Sequence, residues 1–433
     1  MLGRVNPVNP LDGGAARETF DDELDLVRRS GLVLRVGRMS LASGTGSYRV
    51  KGSMAHVAKA LGIDRHQALV TLTEITTTSH RHSSFRTEVT EIRDVGVNAD
   101  RLARLQLLVG SLRGRTIEPD ELERCFDEIA RTPPLYTPLL SALWAGIACA
   151  AFAFLLGLGW VAMIGALLGA GAGQFARRSL ARKRYNQIGV TMIAAGVAAG
   201  IYLAVVTLVG LTGVGFDADR AGFIAAVLFL VPGFPLVTAS LDLARLDISA
   251  GVARLTYAIV IVCAAAVVVW GISHLLGGDA VHVITSDPTV GLRLAQLAAT
   301  FAGVLGFALM FNSPPPMALA AATVAFVPNV ARIVLTDAGV APAVATALAA
   351  FVVGLIAAFL APRLRVPRIT ISVPAVVIMV PGTTTYLAMA GLGDGATSEA
   401  LGYAVQAVVV VLGIAVGLAV ARMVTDREWA FEK

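Results

Sequence analysis

The sequence predicts an α-helical integral membrane protein, with about ten transmembrane helices arranged as two five-helix inverted repeats behind a small cytoplasmic α+β domain. Composition is the first observation behind this. Of 433 residues 56% are hydrophobic and only 15% charged, with a mean hydropathy of +0.73, whereas soluble domains carry about 25% charge. The second is where the charge sits: residues up to about 134 are dense in Arg, Asp and Glu, and beyond them charge is confined to short loops. The third is a pair of breaks in apolar spans, Val231-Pro232-Gly233-Phe234-Pro235 and Val380-Pro381-Gly382-Thr383. Proline removes a backbone donor and glycine lowers helix propensity. In hydrocarbon such irregular backbone survives only where protein or a water-filled cavity covers it.

These observations divide the chain into a Pro/Gly-rich tail without fixed structure (1–18), a cytoplasmic domain (19–134), a first membrane half (135–275) and a second (276–433). Thr19-Phe20-Asp21-Asp22 has a hydroxyl cap and first-turn acids, so it reads as a helix start. Ser43-Gly44-Thr45-Gly46-Ser47 should break that helix, and a second amphipathic one follows through Met54, Val57 and Leu61 to Gly62. Ala68 to Thr77 and Thr87 to Val95 are rich in β-branched residues and read as two strands. A basic amphipathic helix around Leu102, Leu105 and Leu108 and an acidic one from Pro119 to Ala130 complete the domain.

Ten apolar spans follow, roughly 136–156, 159–176, 187–211, 220–239, 252–275, 291–311, 316–336, 341–361, 369–390 and 400–422. Each approaches the ~20 residues a bilayer requires. Arg177, Arg178, Arg182, Lys183, Arg184, Arg245, Arg363, Arg365, Arg368, Arg422 and Arg427 then fall on one side. By the positive-inside rule both termini are cytoplasmic; Arg220, Arg293 and Arg332 are exceptions at outer span ends. Pro232 and Pro381, 149 residues apart, occupy the fourth span of each half. An odd number of spans per half inverts the second copy, the architecture of alternating access.

Either break alone reads as an ordinary proline kink; their recurrence makes Pro232, Gly233, Pro381, Gly382 and Thr383 candidate substrate-binding positions. Asn312 and Asn329 join them as intramembrane polar groups that need partners, against the plainer reading of hydrogen-bonded glue between helices. Asp242, just past the first break, is the candidate for proton coupling, against that of an ordinary interfacial acid. Gly165, Gly169 and Gly173 mark a small-residue packing seam.

Several function classes are disfavoured. No phosphate-binding G-x-x-x-x-G-K-[ST] occurs, so ATP-driven pumping is not expected. Cys125, Cys149 and Cys263 have no metal-ligand spacing, and His80 and His82 make a poor metal site in a turn between strands. No cofactor, metal or nucleic-acid partner is expected. The first twenty residues lack the apolar core of a cleavable signal. A hydrolase would need Ser43 or Ser47 set against His56, His66 or His80, which spacing alone does not place.

Ser43-Gly44-Thr45-Gly46-Ser47-Tyr48-Arg49-Val50 and Met54-Ala55-His56-Val57-Ala58-Lys59-Ala60-Leu61-Gly62 resemble the opening of the threonine/serine exporter family. Leu230-Val231-Pro232-Gly233-Phe234-Pro235-Leu236-Val237 with Asp242-Leu243 does too, and the second half looks like the smaller module of its fused members. The resemblance implies a secondary transporter that exports threonine and serine, driven by the proton motive force, with the bilayer and protons as its other partners. Related halves occur elsewhere as two proteins associated with dicarboxylate export, so a succinate-type exporter is the alternative. A membrane-anchored hydrolase or sensor acting through the soluble domain is the reading from another class. Homo-oligomerisation stays open.

Overall fold

The computed structural model describes residues 13–92, 96–213, 222–275, 289–393 and 396–426. Two compact units emerge: Met1–Ala42, Ser47–Val95 and Arg104–Thr132 form one, and Ser43–Gly46, Gly96–Ala103 and Pro133–Lys433 form the other.

In the first unit, α1 (Gly13–Ala42) starts six residues before the expected Thr19 and ends at the Ser43–Gly46 break; residues 1–12 lie outside the described ones. Helix α2 (Ser47–Ala60) buries Val50, Met54 and Val57 against Val33 and Val36 of α1. The approach is close enough that a Cβ on Gly37 would lie 2.6 Å from Met54 Sδ. The two expected strands are three: β1 (Arg65–Val70), β2 (Glu74–Arg81) and β3 (Ser84–Glu91), an antiparallel meander. A tight turn at Thr71–Thr73 splits the first apolar run, where Thr71 N donates to Glu74 O at 2.9 Å. His80 lies inside β2 rather than in the turn, and stacks on Phe85. Helix α3 (Ala99–Ser111) and the acidic α4 (Pro119–Arg131) follow as expected. In α4, Leu122 and Phe126 enter the core, while Asp120 and Asp127 pair with Arg28 and Arg35 of α1. Those guanidinium groups hold both carboxyls below the usual range.

The second unit is helical. It comprises α5 (Pro138–Leu155), α6 (Trp160–Arg182), α7 (Gln187–Gly210), α8 (Phe223–Val227) continued by a 3-10 turn (Leu228–Leu230), α9 (Gly233–Ala244) and α10 (Ile248–Leu275). Then come α11 (Val290–Met310), α12 (Pro315–Asp337), α13 (Pro342–Leu364), α14 (Arg368–Val377), α15 (Gly382–Gly393) and α16 (Thr397–Thr425). Threonine and asparagine caps start three of them: Thr137 accepts from Leu140 N, Asn186 from Ile188 N and Thr289 from Leu292 N. Leucines and valines that a soluble protein would hide face outward, among them Leu139, Leu208 and Phe359 at 72%, 67% and 65% exposure, as a lipid-facing surface requires.

All ten apolar segments are helical, but the expected ten spans are reduced. Among the described residues seven helices are long and apolar enough to cross a membrane, eight if α8 and α9, bent by 52°, make one span. Helix α6 falls short in hydropathy because four glycines, Gln174, Arg177 and Arg178 dilute it. The ninth segment is cut into short α14 and α15 at the second break. The glycines of α6 form the expected seam: Cβ atoms on Gly169 and Gly173 would sit 2.5 and 2.8 Å from the carbonyl oxygens of Ala198 and Ala194 on α7. Helix α5 packs on α6 and α11, α11 on α12, α9 on α10 and α16, and α15 on α16 and α10.

Candidate functional site

Each break is built the same way. At the first, Val231 N donates to Leu228 O (3.0 Å), Gly233 N to Val231 O (2.8 Å) and Leu236 N to Pro232 O (3.0 Å). At the second, Val380 N donates to Val377 O (3.1 Å), Gly382 N to Val380 O (2.8 Å) and Thr385 N to Pro381 O (2.9 Å). In both, a helix ends, the chain turns through three residues about the proline, and a new helix starts. Pro232, at φ −78° and ψ 61°, has the geometry of an inverse γ-turn. The tight turn satisfies backbone groups that a proline inside an apolar span would otherwise strand.

The two breaks touch, and they do so reciprocally. A Cβ on Gly233 would lie 3.2 Å from both γ-carbons of Val377 and 3.6 Å from Val380 Cγ2. A Cβ on Gly382 would run into Leu228 and come within 3.8 Å of Val231 Cγ2. Leu228 and Val231 hold the same places before the first proline as Val377 and Val380 hold before the second. Beside the junction is a cavity of about 40 Å³, lined among others by Val227, Leu230, Val231, Val262, Gly382 and Thr385. That is room for only a few waters. Thr385 turns its hydroxyl back onto Pro381 O at 2.8 Å. Thr383 opens α15 beside Gly382, its side chain lying outside the described ones.

Asp242, in the last turn of α9, is 2% exposed and faces an equally buried Arg254 on α10, Nε to Oδ2 3.1 Å. Arg254 Nη2 donates to Thr45 O at 2.8 Å. Gly46 crowds the same carboxylate: its Cβ, if present, would be 2.8 Å from Asp242 Oδ1. The Ser-Gly-Thr-Gly loop thus closes over a buried ion pair, and any side chain at Gly46 would displace it. A buried pair of this kind gains little net stability, but removing one partner leaves an uncompensated charge. Arg254 escapes sequence reading because it sits at the polar start of an otherwise apolar span. The only signal was an arginine inside the predicted span 252–275.

Asn312 and Asn329 are not brought together. Asn312, buried at φ +62° in the turn after α11, accepts from Leu135 N and donates to Asn98 Oδ1, both at 2.8 Å, and its carbonyl accepts from Asp100 N at 3.2 Å. Its neighbour Phe311 meets Phe234, next to the first break, edge to face at 5.7 Å. Asn329, about four turns into α12, donates to Thr300 Oγ1 at 3.0 Å and accepts from Arg332 Nε at 3.1 Å. On α11, Gly303 abuts Ile378 just before the second break.

Residues 31–276 match the family model described as "Putative threonine/serine exporter", and residues 296–424 match a second, described as "Threonine/Serine exporter, ThrE". The first alone covers more than half of the chain. The protein belongs to the threonine/serine exporter family. This exporter-family chain is 25% identical over 449 residues to the "Probable threonine/serine exporter" of Mycobacterium tuberculosis, covering 96% of this chain and 81% of that one. It is also 26% identical over 250 residues to the "Probable succinate transporter subunit YjjP" of Escherichia coli K12, covering 56% of this chain and 94% of the relative. No solved structure matches it. Membership implies a multi-pass membrane transporter rather than an enzyme. The first matched stretch contains the Thr45–Gly46 loop, the first break, Asp242 and Arg254; the second contains Asn312, Asn329 and the second break. Two histidines of the first unit have local partners: His56 Nδ1 lies 2.7 Å from Gly52 O on its own helix, and His66 lies against Ser79 and Thr77.

Proposed function

We propose that the protein is a secondary exporter of threonine and serine, working by alternating access about the junction of its two breaks. The observation that carries this reading is the reciprocal contact of Gly233 with Val377 and Val380 and of Gly382 with Leu228 and Val231. Equal backbone geometry on both sides favours two halves of five segments each, inverted about an axis through the junction, with all ten segments in the bilayer and both termini inside. Pro232, Gly233, Pro381, Gly382 and Thr383 then shape the substrate path, with Asn312 and Asn329 flanking it.

The 40 Å³ cavity is far below the ~300 Å³ at which small-molecule pockets begin. The described conformation is therefore closed at the junction, and transport requires the breaks to part. Two glycines and a γ-turn make that motion inexpensive, because no side chain interlocks across the contact from either glycine and few helical bonds cross it. When the breaks separate, the restarted helices α9 and α15 turn their amino-terminal ends toward a substrate carboxylate.

Coupling to the proton motive force is assigned to Asp242. Protonating its carboxylate would cancel the attraction of Arg254 and loosen the hold of that guanidinium on the Thr45 carbonyl. The buried pair supports this role over that of a solvated interfacial acid.

The test loads cells with threonine-containing peptides and follows free threonine outside, with and without the protein. Faster efflux with the protein is expected, and equal efflux in the two strains defeats the amino-acid reading. The relation to a succinate transporter subunit favours a dicarboxylate as the second reading, so the same strains are compared with succinate.

A further inference from the structure

Arg332 lies on α12, five residues before its end at Asp337. Its Nε donates to Asn329 Oδ1 at 3.1 Å. Its Nη groups have no acceptor, and no carboxylate lies within ion-pair distance, among the described residues. Asp337, the one acid on that helix, is taken by Arg293 of α11 at 2.6 Å. Arg254, buried deeper in the same unit, has Asp242. Arg332 is half-buried, and a guanidinium near the end of an apolar helix with no counter-charge beside it has its fork available to an anion.

The surroundings form a lane. Arg293, Gln296 and Thr300 follow one another at helical spacing on α11, and Asn329, Arg332 and Thr336 do so on α12. Residues three and four apart share a helix face. Asn329 Nδ2 links the two rows by donating to Thr300 Oγ1 (3.0 Å), as Arg293 does through Asp337, while Arg293 Nη1 also donates along its own row to Gln296 Oε1 (2.9 Å). Gln296, Thr300 and Asn329 are each at most 8% exposed. One turn beyond Thr300, a Cβ on Gly303 would lie 2.7 Å from Ile378 Cδ1, three residues before Pro381. The lane therefore runs from the end of α12 to the second break.

Helix α6 repeats the arrangement. Gln174 is the fifteenth residue of α6, as Asn329 is of α12; it donates to Ser141 Oγ on α5 at 3.1 Å, and Arg177 follows one turn on as Arg332 does. Two amide-plus-arginine steps at the same helical positions are hard to attribute to topology signals alone, because Arg332 lies at the helix end where basic residues are otherwise sparse.

We propose that Arg332, oriented by Asn329 and flanked by Gln296 and Thr300, binds the carboxylate of the transported solute between the second break and the α12 end of the bundle. A guanidinium fork with free Nη donors suits a carboxylate in bidentate fashion. This rests on the transport reading above and adds the group that recognises the anionic end of the substrate, whether amino acid or dicarboxylate.

The test measures thermal stabilisation of the purified full-length protein by L-threonine, L-serine, succinate and L-threoninamide, the last keeping hydroxyl and ammonium but lacking the carboxylate. Stabilisation by a carboxylate solute and not by threoninamide is expected. Arg332→Gln should weaken it about tenfold or more, and Arg332→Lys less, since a lost charge-assisted bond corresponds to that factor. Asn329→Asp supplies the missing carboxylate 3.1 Å from Arg332; it should raise the melting temperature without ligand and weaken binding as Arg332→Gln does. That variant keeps the test valid if Arg332→Gln misfolds. Carboxylate binding in Asn329→Asp and in any folded Arg332→Gln protein within about twofold of the wild type overturns this site alone. A wild-type protein that responds to none of the solutes overturns the site together with the transport reading.

Discussion

The two breaks agree in backbone and differ in charge. Their turns repeat the same three hydrogen bonds to within 0.1 Å, and each glycine rests on the other's flanking apolar residues. Yet the helix leaving the first break ends in a buried Asp242 matched by Arg254. The same offset in the second half lands on Gly391 and Tyr403. The shared part is a helix break that needs only proline, glycine and apolar neighbours. The unshared part is electrostatic and belongs to one half. On the transport reading proposed above, two like breaks and one charged latch would let a proton act on one half while the other follows by packing.

The largest effect should come from breaking the latch by halves. Arg254→Leu strands a buried carboxylate and should cost about 3–5 kcal/mol, whereas Asp242→Leu with Arg254→Met should be near neutral for stability. Melting of the purified variants checks this. A double variant that is stable yet exports threonine without dependence on the proton gradient would separate latch from hinge.

Next come the hinges. Gly233→Leu and Gly382→Leu should each lose about 1–3 kcal/mol by overpacking and most of the efflux, and they should do so equally. If only one abolishes efflux while both insert into the membrane, the equivalence of the breaks fails. Pro381→Ala, which removes no contact at the glycine, should reduce efflux while leaving insertion intact.

A brace outside the junction provides the contrast. Asn312→Ala strands Leu135 N and Asn98 Oδ1 and should destabilise by about 1–3 kcal/mol. Efflux per folded molecule should fall less than in the hinge variants, as measured after normalising for protein in the membrane.

The smallest effect is a control on pH. His66 in the first unit is held below the ordinary histidine value by burial. The unfolded chain therefore takes up the proton first as pH falls through about 6.5, so the stability from a neutral His66 is complete above that pH and declines below it. Hydrogen exchange of the β1 and β2 amides, with His66→Gln as reference, should show this slope and separate it from any pH dependence of Asp242.

Much was legible in the chain because a membrane leaves few solutions. Apolar length and basic loops located the helical segments, and two prolines inside apolar runs marked the breaks without any knowledge of packing. The acidic face of α4 and the Gly165–Gly173 seam were equally plain, since helical periodicity is a local property. Strand boundaries were less so: Ala68 to Thr77 has uniform β propensity, and only the Thr71–Glu74 turn hydrogen bond divides it. Among the described residues seven or eight of the ten expected spans have the length and hydropathy to cross, since glycine, glutamine and arginine dilute α6 and the second break cuts the ninth segment.

By itself, then, the sequence determined the membrane class, the helical segments, the family and the two breaks, all set by local composition and spacing. Only the tertiary structure decided that the two breaks meet, that Thr45 and Gly46 close over Asp242 and Arg254, and that Asn329 reaches Thr300 on α11. Those contacts join residues from about 150 to 209 positions apart, or from neighbouring helices. Their partners are chosen by which faces pack together, a property that no single stretch of sequence contains.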